Sequence, residues 1–297
     1  MCDESCVSSS RPPDASVPAG LVLVSTPIGN LGDMAARGIS ALKAADLVLC
    51  EDTRVTRRLM GAFGISARLS ALHEYNEEQR IPEVLAALAR GLRVALVSDA
   101  GTPVLSDPGF RLVRAAVAAG LPVSAVPGPS AAIVALTISG LPPSPFLFLG
   151  FPPARSGPRR SSFARIAGLE RAGLRATLVW HEAPHRLAAT LGDLASIFGT
   201  REAAVARELT KRFEEVRRSG LAELAEHYRH QPARGEITLV VGPAPDEREI
   251  PPPEIETRLK ALLTSGMSFK EAVASVAQET GAARREVYAR ALALKGP

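Results

Sequence analysis

The first half of the chain alternates short apolar runs with longer segments whose apolar residues recur at helical spacing. Gly20-Leu21-Val22-Leu23-Val24, Leu47-Val48-Leu49-Cys50, Val94-Ala95-Leu96-Val97 and Val123-Ser124-Ala125-Val126 have the length and content of buried strands. Helical patterns fall at about Met34–Ala44 and Thr53–Phe63, around Val84, Leu85 and Leu88, and at Phe110–Ala119 and Ala131–Ser139. This alternation predicts an α/β fold built on a mostly parallel sheet with right-handed crossovers. Three of the strands run into loops of small residues: Thr26-Pro27-Ile28-Gly29, Asp99-Ala100-Gly101-Thr102-Pro103 and Pro127-Gly128-Pro129-Ser130. Such loops gather at the carboxyl edge of a parallel sheet, where a backbone-lined cleft for a ligand is expected.

Leu141-Pro142-Pro143-Ser144-Pro145 marks a boundary. Beyond it, strands are expected at about Phe146–Phe151, Ala176–Trp180, Glu202–Ala206 and Glu236–Val241, with helices at about Pro184–Phe198 and Leu221–His230. Between Pro153 and Ile166 the chain is basic with no acid, which reads as a flexible loop carrying Arg155, Arg159 and Arg160. Residues 243–253 read as an acidic, proline-rich linker. Ser268-Phe269-Lys270-Glu271 fits a capping box ahead of a helix at 272–279, and a basic helix with Arg284 and Arg285 follows Gly281. The layout is therefore an arm at 1–19, α/β domains at 20–143 and 144–244, and a linker with a helical module at 245–297. A helix-turn-helix and a plain packing appendage both suit that module.

Composition narrows the class. Of 297 residues, 46% are hydrophobic and only 4% aromatic, so the core is Ala, Leu and Val. The formal charge of +4 permits a nucleic-acid partner without requiring one. Three cysteines (Cys2, Cys6, Cys50) build neither a disulfide framework nor a zinc site, which suits a reducing cytoplasm. The Ser- and Pro-rich residues 1–19 lack the apolar centre of a signal peptide and read as a disordered arm. No charge occurs from Ala115 to Ala154, but Pro122, Pro127, Gly128, Pro129, Pro142, Pro143 and Pro145 cut that stretch, so no membrane span is expected.

Chemistry is limited by what is missing. No Gly-x-Gly-x-x-Gly follows the first strand, no Walker motif or Gly-x-Ser-x-Gly elbow occurs, and no His/Cys/acid cluster has catalytic-metal spacing. A cleft of backbone groups with few fixed charges suits a neutral-to-cationic organic cofactor. Candidates for a base are Asp99, Asp107, Glu51, Asp52 and His73-Glu74, and Asp99 also suits an anchor of its own loop. Arg54 beside Glu51 and Asp52 reads either as an ion pair or as a holder of RNA phosphate.

The ordered set Thr26–Asp33, Glu51-Asp52-Thr53-Arg54, His73–Glu77, Ser98–Pro103, Ser106–Gly109, Pro127–Ala131, Glu182–Arg186, Glu208–Lys211 and Gly235-Glu236 resembles one enzyme family. It is similar to the rRNA (cytidine-2′-O)-methyltransferases of the small ribosomal subunit, within the tetrapyrrole methylase superfamily. The resemblance runs continuously from about Leu21 to Gly242 and, more weakly, through the tail. It implies a tetrapyrrole-methylase-like fold, S-adenosylmethionine held in a cleft between the two domains, and a homodimer. It also implies a cytidine 2′-hydroxyl in the decoding region of small-subunit rRNA as the acceptor. Mapped by motif, Pro27 and Gly29 line one wall of the cofactor site, and Asp99, Gly101, Thr102, Pro103 and Ser106 its centre. Pro129, Ser130 and Ala131 lie beneath, with backbone near Trp180–Glu182 and around Leu209-Thr210 from the second domain. RNA would meet Arg54, the Arg155–Arg160 stretch, and Arg284 and Arg285. Two competing readings are a tetrapyrrole C-methyltransferase and a non-catalytic, RNA-binding ribosome-assembly factor. The basic segments and the Thr-Pro-Ile-Gly loop speak against the first, and the intact cleft loops against the second.

Overall fold

The computed structural model describes residues 19–245, 252–280 and 284–294. Residues 1–18 of the expected arm at 1–19 lie outside them, as do 246–251 of the linker. Five strands form the first sheet: β1 (Gly20–Val24), β2 (Leu47–Cys50), β3 (Leu69–Ala71), β4 (Arg93–Leu96) and β5 (Val123–Val126). Their order is β3-β2-β4-β1-β5 and every pair is parallel. The helices α1 (Ala36–Ala44), α2 (Thr53–Ala62), α3 (Glu77–Ala89), α4 (Phe110–Ala118) and α5 (Ala131–Ile138) connect or follow them.

Side-chain alternation divides the strands between two apolar layers. Val22, Val24, Val48, Cys50 and Ala95 pack with Ala41 and Leu42 of α1 and Met60 of α2. Leu21, Leu49, Val94 and Leu96 pack with Val84 and Leu88 of α3 and Leu112 and Ala116 of α4. Burial on both faces is why these strands read as unbroken apolar runs. The carboxyl ends of β4, β1 and β5 are neighbours in the sheet, so their three loops meet.

The second sheet contains β6 (Phe146–Phe148), β7 (Thr177–Glu182), β8 (Glu202–Arg207), β9 (Glu215–Gly220) and β10 (Ile237–Val241), ordered β6-β7-β10-β8-β9. Only β6 and β7 are parallel. The expectation of a mostly parallel sheet therefore holds for the first sheet alone. The cause is β9, which sequence patterning missed: a polar edge strand, Glu-Val-Arg-Arg-Ser-Gly, folding back on β8 as a hairpin. One face of this sheet packs on α6 (Ser156–Arg171), α7 (Leu187–Phe198) and α8 (Leu221–His230) through Phe163, Leu191, Leu194 and Leu224. The other face receives α5, whose Ala132, Ala135 and Leu136 meet Val179, Ala204, Ala206 and Val240.

Helix α6 corrects the expectation of a flexible basic loop between 153 and 166. Phe163 and Ala167 recur at helical spacing and are buried, so that stripe folds the segment onto the sheet despite its charge. Pro158 lies in the first turn, where its missing N–H costs nothing.

Residues from Ala244 onward form a separate unit of three helices, α9 (Pro252–Thr264), α10 (Phe269–Thr280) and α11 (Arg284–Ala293). Helix α9 begins inside the stretch read as linker, with Pro252 at its first position. The expected capping box is present, Glu271 N–H donating to Ser268 Oγ at 3.3 Å and Ser268 N–H to Glu271 Oε2 at 3.3 Å. Ile255, Leu259, Val273, Val276 and Val287 make its own core.

Candidate active site

The three Gly/Pro loops are fastened to one another. Thr26 and Gly101 exchange both backbone hydrogen bonds, at 2.9 and 3.0 Å, across an isolated antiparallel bridge. Thr26 Oγ1 donates to the Ser98 carbonyl at 3.2 Å. Thr102 Oγ1 donates to the Pro129 carbonyl at 3.1 Å and accepts from Ser25 Oγ at 3.3 Å, tying all three strand ends into one floor. Gly101 has φ +82°, and a Cβ there would press to 3.3 Å from Ile28 and 3.6 Å from the Pro129 carbonyl. Only glycine fits that crossing without strain.

Beside this floor lies a cleft of about 380 Å³. Its N-terminal wall is Ile28, 99–102, 105–107 and 130–132; its C-terminal wall is Phe148, Phe151, 181–184, Ala206, Leu209 and 235–238. Backbone strain concentrates at its rim. Val104 (φ 76°), Ser106 (φ 70°), Glu208 (φ 51°) and Thr210 (φ 65°) are the non-glycine residues in the left-handed region among those described. For β-branched Val104 and Thr210 that conformation is a true outlier, and such strain gathers at ligand sites.

Three carboxyl groups approach one another at the ends of β2 and β4. Asp99 Oδ1 accepts from the Asp52 amide at 3.1 Å. It thus anchors the neighbouring strand end rather than the loop that carries it. Burial, then the charge of Glu51, pushes Asp107 up to about 6, against a lowering hydrogen bond from Ser98. Partial desolvation of its carboxyl, then the charge of Asp99, likewise raises Glu51, which lies outside the cleft lining. Asp52 caps α2 and holds Arg54 through Nη2 at 2.6 Å, and that partner keeps its carboxyl low, at about 2.

Of the residues expected at a cofactor site, Asp99, Gly101, Thr102, Ser106, Ser130, Ala131 and Leu209 line the cleft. Pro27, Gly29, Pro103 and Pro129 do not: they shape the loops behind it, and Gly29 lets Lys211 pass where a Cβ would lie 2.4 Å from Lys211 Cγ. Trp180 also falls outside. Along β7 alternate residues face opposite ways, so Trp180 packs on Phe163 and Phe198 while His181 enters the cleft. Backbone of 180–182 was expected here, but the His181 side chain was not, nor were Phe148 and Phe151. The imidazole sits 5.0 and 5.5 Å from those two rings, donates to or accepts from Thr238 Oγ1 at 3.1 Å, and is lowered by burial. The signal available in the sequence was the Phe146–Phe151 run beside a chain otherwise poor in aromatics.

The basic residues divide. Arg159 is buried, with Nη2 at 2.6 Å from Asp193, so it is not available to RNA as expected. Arg160 shares Asp193 at 3.3 Å with its own head half in solvent. Arg155 is exposed ahead of α6. Arg54 is exposed but paired with Asp52, which matches the ion-pair alternative. Arg284 and Arg285 are exposed at the start of α11 in the C-terminal unit.

Comparison with known proteins places this architecture. The family described as tetrapyrrole (corrin/porphyrin) methylases matches residues 20–225, and that described as the RsmI C-terminal HTH domain matches 249–295. A ribosomal RNA small subunit methyltransferase I from Mesorhizobium japonicum is 44% identical over 97% of this chain and 97% of its own. One of the same name from Escherichia coli O157:H7 is 41% identical over 93% of this chain and 96% of its own. Among solved structures, uroporphyrin-III-C-methyltransferase from Thermus thermophilus superimposes with a TM-score of 0.52, covering 75% of this chain and 94% of its own at 22% identity, which speaks for the fold. The chain is therefore a member of the tetrapyrrole methylase family, in the group of the ribosomal RNA small subunit methyltransferases I.

Proposed function

We propose that this protein transfers the methyl group of S-adenosylmethionine to the 2′-hydroxyl of a cytidine ribose in the decoding region of small-subunit rRNA. It acts on that substrate as a cytoplasmic homodimer. The names of its relatives support an rRNA substrate. The observation that carries methylation of oxygen is Asp107, a cleft carboxyl raised to about 6 that is ionised yet still basic near neutral pH.

S-Adenosylmethionine is the cofactor of this family, and the cleft suits it. Asp99, Asp107, Glu182 and Glu236 line the cleft, and no lysine or arginine does. That balance favours a cationic sulfonium. Glu182 is already paired with Arg186 and Glu236 with Lys211, which leaves Asp99 and Asp107 to set the field. Gly101 keeps the floor free of a side chain, and Phe148 and Phe151 give an apolar flank. When bound, the cofactor supplies an electrophilic methyl group and a neutral thioether leaving group.

The residues of the chain then have separable tasks. The tied loops would fix the position of a bound methyl donor relative to its acceptor, and positioning of this kind supplies much of the acceleration. Asp107 accepts the 2′-hydroxyl proton as the oxygen–carbon bond forms and the carbon–sulfur bond breaks. The products are the methylated ribose, S-adenosylhomocysteine and a protonated Asp107 that returns its proton to solvent. Asp99 is the less suited to this task because its Oδ1 anchors the Asp52 amide, and Glu51 lies outside the lining.

The test incubates the protein and labelled S-adenosylmethionine with small subunits from cells lacking the activity, then maps ribose methylation. Label on a cytidine 2′-oxygen is the expected result. Label only on a tetrapyrrole, or subunit binding without label, overturns the reading.

A further inference from the structure

The loop that brings Gly235 to Thr238 into the cleft begins in a second cavity, of about 180 Å³. Arg207 and Glu215 lie on its wall with Arg217, His227, Tyr228 and Arg234. Ala206 lines the cleft and Arg207 the second cavity, so β8 presents one residue to each, on opposite faces of the sheet. At the sheet end the two cavities are separated by the step from Arg234 to Gly235.

Three guanidinium groups here oppose one carboxylate. Glu215 takes Arg207 Nε at 2.6 Å and Arg217 Nη2 at 3.3 Å, and those partners hold its carboxyl low. One negative charge thus serves two cations. Arg234 is exposed and makes no ion pair among the described residues. The cavity therefore keeps a positive surplus that the protein does not neutralise.

Its apolar side holds a second anomaly. Tyr228 is only 5% exposed, yet its hydroxyl has no hydrogen-bond partner among the described residues. Arg217 comes near enough to influence the phenol without completing a bond of normal geometry. A buried donor left unpaired is costly, so one that persists points to a ligand that accepts from it. A neutral donor among guanidinium forks is a suitable set for a phosphate group, whose oxygens accept from both kinds of donor.

We infer that this cavity binds a backbone phosphate of the RNA strand whose ribose enters the cleft, anchoring the strand as it crosses the sheet end at Arg234–Gly235. The inference rests on the rRNA substrate proposed above. Phosphate contacts of this kind fix register without reading sequence.

The experiment measures binding of the full-length protein to small subunits across a salt series, for wild type, Arg234→Ala and Tyr228→Phe. Arg234 is exposed and Phe keeps the buried ring, so both variants fold. Arg234→Ala should weaken binding about 5- to 10-fold near physiological salt and make the slope of log K against log salt shallower by about 1. Tyr228→Phe removes a neutral donor and should weaken binding about 3-fold at every salt concentration with the slope unchanged. Cofactor affinity by calorimetry stays at the wild-type value in both. Wild-type binding and slope in both variants overturn the inference. So does inorganic phosphate binding that Arg234→Ala abolishes while subunit binding is untouched, which makes the cavity a small-anion site. Wild-type protein that binds subunits but transfers no methyl overturns the proposed reaction alone, since the slopes still report on the cavity.

Discussion

The two walls of the cleft are built on different principles. The N-terminal wall is backbone: three strand ends laced by Thr26, Thr102 and Ser98, with side chains that, Ile28 and Leu105 apart, are small or acidic. The C-terminal wall is side chain: Phe148, Phe151 and His181, carried by β6 and β7 and the loop after β6. What steadies each wall differs as well. Hydrogen bonds between loops hold the first. Behind the second stand buried ion pairs, Arg159 with Asp193, Arg201 with Glu170 and Arg186 with Glu182. A wall of backbone sets positions to a fraction of an ångström and places charge where the reaction needs it, whereas a wall of rings offers contact area with little direction. Reaction rate should therefore depend on the first wall and substrate affinity on the second.

The largest effect that sharpens this contrast is at Asp107. Asp107→Asn should lower kcat by about 10²- to 10⁴-fold, a far larger change than the loss of S-adenosylmethionine affinity read by calorimetry. In the wild type the rate should rise with pH through about 6 and then level, as Asp107 becomes ionised; in the variant that limb disappears. Stability moves the opposite way. A carboxyl raised in the fold is most favourable when protonated, so its contribution is complete below the unfolded value near 4 and is lost as pH rises through about 6. Asp107→Asn should thus stabilise the protein at pH 7.5 by about 1 kcal/mol, a figure reduced for partial access of water. A variant that is slow, and also less stable at that pH, breaks the assignment of Asp107 as a burial-raised base.

Next in size is the support of the second wall. Arg159→Ala leaves Asp193 buried without its main partner and should cost about 3–5 kcal/mol in denaturant unfolding. At a temperature where the variant is folded, the salt dependence of subunit binding should match wild type. A shallower slope would return Arg159 to the RNA surface.

This residue also shows where reading the sequence succeeds and fails. The first sheet was legible because strands buried on both faces are continuous apolar runs, and loops of Asp, Gly, Thr and Pro announce themselves between them. The floor formed by Thr26, Gly101 and Pro129 follows from that topology. Arg159 was misread because charge suggests solvent, and only tertiary contact with Asp193 on α7, 34 residues away, reverses that expectation. His181 and Trp180 were exchanged for a related reason. A central strand buried on both faces has no polar alternation to say which residue faces the cleft. β9 was missed because an edge strand is free to be polar, and α9 because Pro252 suggested a linker where it opens a helix. Local pattern carries periodicity; partners distant in sequence carry facing and charge burial.

A smaller effect tests the lacing of the first wall. Thr102→Val keeps the shape but removes the donor to the Pro129 carbonyl and the acceptor for Ser25. The loss should be about 1 kcal/mol of stability. The rate constant kcat should fall several-fold, since the loops that position the reacting groups are no longer held together. Unchanged kcat with lowered stability would show that the lacing serves the fold and leaves the site indifferent.

The mildest change falls on the second wall and decides whether the comparison holds at all. Phe151 is 57% exposed with its ring 5.5 Å from His181, so Phe151→Leu keeps an apolar side chain and gives up the ring contact. Aromatic pairs contribute about 0.5–1.5 kcal/mol beyond their area, and an exposed one sits at the low end. KM for the RNA or the cofactor should therefore rise about 2- to 3-fold with kcat nearly unchanged, the signature of lost uniform binding. Which KM moves tells which ligand lies against the rings. If kcat falls instead, the rings position the reacting atoms, and the division between a wall that sets rate and a wall that sets affinity is wrong.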